Sequence, residues 1–124
     1  MLSNNEIKQI RALSQKKFRQ ESGLFVVEGE KLVKEAEMSG FEVVRVLRSE
    51  EIGFEAMSRI TMLSSPSPAL AVVRQRDAED AVYSGGLVLA LDGLRDPGNV
   101  GTIIRLADWF GIRHIWASRD TVEL

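Results

Sequence analysis

Leu87-Val88-Leu89-Ala90-Leu91-Asp92-Gly93-Leu94-Arg95-Asp96-Pro97-Gly98-Asn99-Val100-Gly101-Thr102-Ile103-Ile104-Arg105 decides how this chain is read. Five consecutive apolar residues, Leu87 to Leu91, suit a strand of a parallel sheet covered on both faces. Polar and turn-forming residues follow at once. Pro97 stiffens the backbone, while Gly98 opens angles closed to other residues. Val100, Ile103, Ile104, Ala107 and Phe110 then recur at helical spacing, which predicts a helix from Asn99 to about Phe110. Asn99 is expected to cap it and Gly111 to close it. His114-Ile115-Trp116-Ala117 reads as the next strand. Strand, turn, helix and strand in that order make an α/β unit, whose ligands bind outside the carboxyl ends of the strands. Asp92 stands at such an end.

The turn admits two readings from its residues alone. Exposed amides and the helix dipole would favour a phosphate or another anion, and Arg105 could reach the crevice with a bidentate fork. A plain strand-to-helix connector uses the same residue types, with Arg105 in a surface ion pair to Asp108 or Glu123. The stretch is neither a Walker A loop nor a G-x-G-x-x-G fingerprint. Asp92 and Asp96 are explained more simply by turn hydrogen bonding than by a metal. Trp109 and Trp116 read as core or interface filling rather than base-stacking platforms. His114 reads as a packed or surface histidine.

Upstream, Ile7, Ile10 and Leu13 predict a helix over residues 4–14, capped by Asn4 or Asn5. Gln15 to Gly23 reads as a polar, basic connection. Leu24 to Val27 is a strand, Glu30 to Ser39 a helix, and Phe41 to Leu47 a strand with Val44 and Val46 on one side. A weak helix is expected over residues 50–58, then short strands over 60–63 and 70–73. This is a small α/β layer structure spanning residues 1–76. Residues 77–86, ending Ser84-Gly85-Gly86, read as a linker, and residues 87–124 as a second unit. Two parallel strands and one helix cannot cover both faces of a sheet, so the chain is expected to be the front part of a longer protein.

Composition narrows the function classes. At 124 residues, 44% hydrophobic and 27% charged, the chain has the make-up of a soluble globular protein. No apolar run approaches a membrane span, and Glu6, Lys8 and Arg11 interrupt any signal-peptide core at the N-terminus, so a cytoplasmic protein is expected. Without cysteine, and with one histidine, disulfides and thiolate or multi-histidine metal sites are excluded. The net charge of −2 is not that of a typical nucleic-acid binder. Yet residues 7–20 carry Lys8, Arg11, Lys16, Lys17 and Arg19 with no acid among them. A local patch of this kind steers a polyanion as well as it decorates a solvated helix end.

Residues 91–107, with their Asp-Pro-x-Asn-x-Gly-x-x-x-Arg core, resemble the first signature motif of the SpoU/TrmH-type RNA 2′-O-ribose methyltransferases of the SPOUT class. Lys16-Lys17-x-Arg19 and Phe25-Val26-Val27-Glu28-Gly29-x-Lys31-Leu32-Val33-x-Glu35-Ala36 resemble that family's substrate-binding domain. The resemblance implies a ribosomal-protein-like α/β domain followed by the first strand, helix and strand of an incomplete trefoil-knot domain. It implies S-adenosylmethionine-dependent methylation of rRNA or tRNA by the whole protein, as a homodimer. It also implies catalytic roles for Asn99 and Arg105, and contacts to RNA from Lys16, Lys17, Arg19, Glu28 and Lys31. A guanidinium stays protonated, so for Arg105 binding RNA phosphate and stabilising a developing alkoxide is physically easier than acting as a base. The cofactor-binding motifs are expected beyond Leu124, so this chain alone is expected to be inactive and to bind no S-adenosylmethionine. A non-catalytic RNA-binding module is the alternative. Two positions depart from the family pattern: Leu106, where threonine is usual, and Ala69-Leu70, where Gln-Gly is common.

Overall fold

Ser3 starts the first helix, α1 (Asn4–Ala12). Its hydroxyl accepts from the Glu6 amide at 3.1 Å, and the Glu6 carboxylate accepts from the Ser3 amide at 2.7 Å. That reciprocal capping box satisfies two donors that a helix start leaves open, which is why Ser3, not Asn4 or Asn5, is the cap. The computed structural model describes residues 2–77 and 82–122, and the chain divides into two units, residues 1–77 and 78–124. Within the expected linker, residues 78–81 lie outside the described residues, as does Glu123.

In the first unit α1 is followed by α2 (Lys16–Ser22), β1 (Leu24–Glu28), α3 (Glu30–Met38) and β2 (Val43–Arg48). Then come α4 (Ser49–Ile52), α5 (Phe54–Ile60) and β3 (Ala69–Arg74). The sheet order is β1-β3-β2, antiparallel throughout, so the last strand lies in the middle. Leu70 and Val72 of β3 face one core with Ile7, Ile10, Leu13, Leu47, Met57 and Ile60. Ala69, Ala71 and Val73 face a second core with Val33 and Ala36 of α3. Small alanines on that side let the helix backbone approach the sheet. Met57 and Ile60 are fully buried, each worth about 2–3 kcal/mol of apolar burial.

Four expectations differ from the structure. Residues 15–23 are not a connection, because α2 runs from Lys16 to Ser22 and closes on Gly23 at φ +70°. No α2 residue is buried, so it carries no apolar period; its Lys, Arg, Gln and Glu supply helix propensity instead. Residues 60–63 are not a strand: Ile60 ends α5 in the core, and the residues after it bond to Glu28. The helix over 50–58 is two helices, split where Gly53 takes φ +87°, ψ 159°, a conformation essentially restricted to glycine. In β2 a bulge lies between Val43 and Arg45. Val43 therefore shares the α3 side with Val46, while Val44 is left exposed.

The second unit holds β4 (Val88–Leu91), α6 (Pro97–Trp109) and β5 (His114–Ala117), with β4 and β5 parallel as expected. Gly111 closes α6 at φ +72°. The Ile112 amide donates to the Ala107 carbonyl at 2.8 Å, and the Gly111 amide to that of Asp108 at 3.1 Å, a Schellman ending. Val100 and Ala107 are buried, but Leu106, Trp109, Phe110 and Trp116 are exposed. Neither tryptophan fills a core, since one helix on two strands offers no second layer to take them.

Candidate functional site

The turn after β4 is held from below by the residues after β5. Ser118 Oγ accepts from the Gly93 amide at 2.8 Å and donates to Asp120 Oδ1 at 2.6 Å. Thr121 Oγ1 donates to the Leu91 carbonyl at 3.2 Å, and the Val122 amide to the Leu94 carbonyl at 2.7 Å. Gly93 sits at φ +66°, where a Cβ would come within 3.2 Å of Asp120 Oδ2. Arg95 approaches that same carboxylate at 4.0 Å. Ser118, Asp120 and Thr121 were missed in the sequence. Their signal was position: a polar run directly after a strand, at the edge where α/β ligand sites form.

Asp96, not Asn99, caps α6. Its carboxylate accepts from the Gly98 amide at 3.0 Å, and its carbonyl from the Val100 amide at 3.1 Å. Pro97 has no amide hydrogen, so among the described residues only the Asn99 amide of the first turn is left without a partner. A carboxylate thus occupies the positive end of the helix, with Asp92 exposed nearby in sequence. That carboxylate already meets part of the helix start's demand for negative charge. Asn99 and Arg105 are both exposed, and no hydrogen bond or ion pair joins them or ties Arg105 to Asp108 among the described residues. At helical spacing Arg105 falls on the side opposite buried Val100, beside Thr102, Leu106 and Trp109. His114 is buried, and its Nε2 accepts from the Ser84 amide at 3.1 Å.

In the first unit the basic residues separate by role. Lys16 and Lys17 are exposed on α2, and the Lys17 ammonium lies 5.8 Å from the Phe18 ring centroid. Arg19 turns inward, donating to the Leu13 carbonyl at 2.9 Å just beyond the end of α1. Glu28 braces the end of β1: one oxygen accepts from Thr61 Oγ1 at 2.6 Å, the other from the Met62 amide at 2.8 Å. Lys31 is exposed at the start of α3, lining a shallow charged groove with Lys34, Glu37 and the Glu30–Arg48 ion pair. Glu30 holds the Arg48 guanidinium above its usual range by that hydrogen bond. Among the described residues no group of acids and histidine is placed to hold a metal.

Residues 4–76 match the family model of the MRM3-like substrate binding domain. The chain belongs to that family. Beyond this domain the likeness continues through the second unit. The chain is 32% identical to the 23S rRNA (guanosine(2553)-2′-O)-methyltransferase RlmP of Bacillus subtilis, over 97% of this chain and 54% of that protein. Its fold matches a protein of the TrmH family of RNA methyltransferases from Porphyromonas gingivalis with a TM-score of 0.82 at 36% identity, covering 99% of this chain and 55% of the other. It also matches an AdoMet-bound rRNA methyltransferase from Sinorhizobium meliloti with a TM-score of 0.78 at 32% identity, covering 99% and 54%. The MRM3-like domain and the unit after it therefore share the mixed α/β fold of SpoU/TrmH methyltransferases. The chain spans about half the length of the relatives it matches.

Proposed function

We propose that this chain provides the RNA-binding domain and the motif-bearing turn of a cytoplasmic S-adenosylmethionine-dependent RNA 2′-O-ribose methyltransferase acting on rRNA or tRNA. One observation carries the reading: an MRM3-like substrate binding domain precedes, in one chain, a β4–α6 unit whose helix carries Asn99 in its first turn and Arg105 further along. Lys16, Lys17 and Lys31 contact RNA phosphates, while Arg19 and Glu28 hold the backbone that presents them. Arg105, protonated and unpaired among the described residues, binds phosphate and stabilises charge developing on the ribose oxygen. Asn99 offers a side-chain amide and its open backbone N–H at the same turn.

The groups around that turn fit the methyl donor poorly. The Gly93 amide and the Ser118 and Thr121 hydroxyls are engaged with one another, with Asp120 Oδ1 and with the Leu91 carbonyl, leaving few free donors to hold it. S-adenosylmethionine is accordingly assigned to other residues of the protein. The outward α6 stripe of Leu106, Trp109 and Phe110 supports homodimer formation by the whole enzyme. Domain limits of 1–76 and 87–124 joined by 77–86 complete the proposal.

Mobility shifts of this chain with rRNA fragments test the RNA reading. Affinity should fall steeply between about 50 and 200 mM salt, and Lys16→Ala with Lys17→Ala should reduce the salt slope by about two. Salt-independent affinity, or none at low salt, counts against it. Calorimetry with S-adenosylmethionine should show no heat of binding to residues 1–124.

A further inference from the structure

A groove of about 500 Å³ lies on the first unit, between the α1–α2 corner and the sheet. Buried Ile10, Leu13 and Val72, with Leu24, line it with apolar surface, and Phe18, 37% exposed, stands at its side. The volume lies within the range of small-molecule sites. Of the charged side chains lining it, Glu6 and Arg45 neutralise each other at 2.6 Å. Glu21 is different: exposed on α2, it has no ion pair or hydrogen bond among the described residues. Gln9 on α1 lines the groove too, its amide likewise unpartnered among the described residues.

The geometry points to a site for an unpaired guanine of single-stranded RNA, a specificity element resting on the RNA-binding reading above. Single-stranded bases are recognised by stacking on aromatic rings and by hydrogen bonds to their Watson–Crick edges. Phe18 supplies a partly exposed ring beside the apolar surface of Ile10, Leu13, Leu24 and Val72. A carboxylate accepts two parallel N–H bonds. Of the four bases only guanine offers two adjacent donors on that edge, N1–H and the N2 amino group. The amide of Gln9 can donate to guanine O6. Backbone phosphates would be met by Lys16, Lys17 and Arg11, exposed on the two helices that form the corner, so a groove with one open carboxylate still suits an anionic strand. Adenine and cytosine each offer Glu21 one donor group, and uracil places a single N–H between two carbonyls that the carboxylate repels.

Fluorescence anisotropy of this chain with labelled AAGAA, AAIAA (inosine, lacking the N2 amino group) and AAAAA, beside a long mixed-sequence RNA, tests this. Expected is tightest binding to AAGAA, then AAIAA, then AAAAA. Glu21→Gln should remove about fivefold or more of the guanine preference, while Phe18→Ala weakens all three pentamers about fivefold or more. Glu55→Gln, exposed on α5 and outside the groove, should leave the preference unchanged. Circular dichroism checks that the variants fold. Binding of the long RNA without guanine preference, or a preference indifferent to Glu21 and Phe18, overturns the groove and leaves the RNA-binding reading standing. No binding of any RNA overturns both.

Discussion

Glu6 works at two ends. One carboxylate oxygen accepts the Ser3 amide at 2.7 Å, and the other meets Arg45 of β2 at 2.6 Å. The Ser3 backbone hydrogen bond, then the hydrogen bond from Arg45, lower its pKa from the ordinary 4.5 to about 2. A carboxyl with a depressed folded-state pKa stabilises the fold above its unfolded pKa and loses that contribution as pH falls through the folded one. Glu6→Gln keeps the hydrogen-bonding shape and removes the charge. The variant should melt below the wild type at pH 7, and the gap should close between about pH 4.5 and about pH 2. A gap that persists at pH 2 would assign the stabilisation to shape instead. Arg105 belongs to the same scale. In a complete enzyme, Arg105→Ala should cut turnover about a hundredfold or more while leaving S-adenosylmethionine binding nearly intact; retained turnover makes the arginine structural.

Among the elements, those with a burial pattern were legible and those without one were not. Val33 and Ala36 announce α3 because burial selects them. The apolar run before Asp92 announces β4 as a strand, but not the expected cover on both faces: of that run Leu91 is buried, while Leu87 and Ala90 are exposed. The polar sequence of α2 hides a helix whose every residue is at least partly exposed. Gly53 breaks what periodicity alone joins, since only the backbone shows that φ +87° is required there. Gly53→Ala should destabilise the first unit by about 1–3 kcal/mol in urea unfolding. A loss under about 0.5 kcal/mol would mean that the two helices merge without strain. The cap of α6 was misplaced for a related reason. Asp96 and Asn99 are both good capping residues, and Pro97 at the first helical position favours the residue before it.

Taken whole, the described part of residues 1–77 encloses both of its cores, one on each side of the sheet. Residues 82–122 bury few side chains and expose Leu106, Trp109, Phe110 and Trp116. Residues 1–77 expressed alone should therefore fold and melt within a few degrees of the main transition of the full chain. Residues 78–124 alone should give no cooperative transition. A first unit that needs the second to fold would show up as a collapsed melting temperature. The sequence by itself determined the fold class, most of the strands and helices, and the Asp92–Arg105 motif, because local pattern and turn chemistry are written in neighbouring residues. Tertiary structure alone decided that β3 is the central strand and that a bulge in β2 turns Val43 inward. It also decided that Ser118, Asp120 and Thr121 pin the turn, and that Gln9, Phe18 and Glu21 line one groove. Each of these joins residues distant along the chain, and no local spacing encodes which of them will meet.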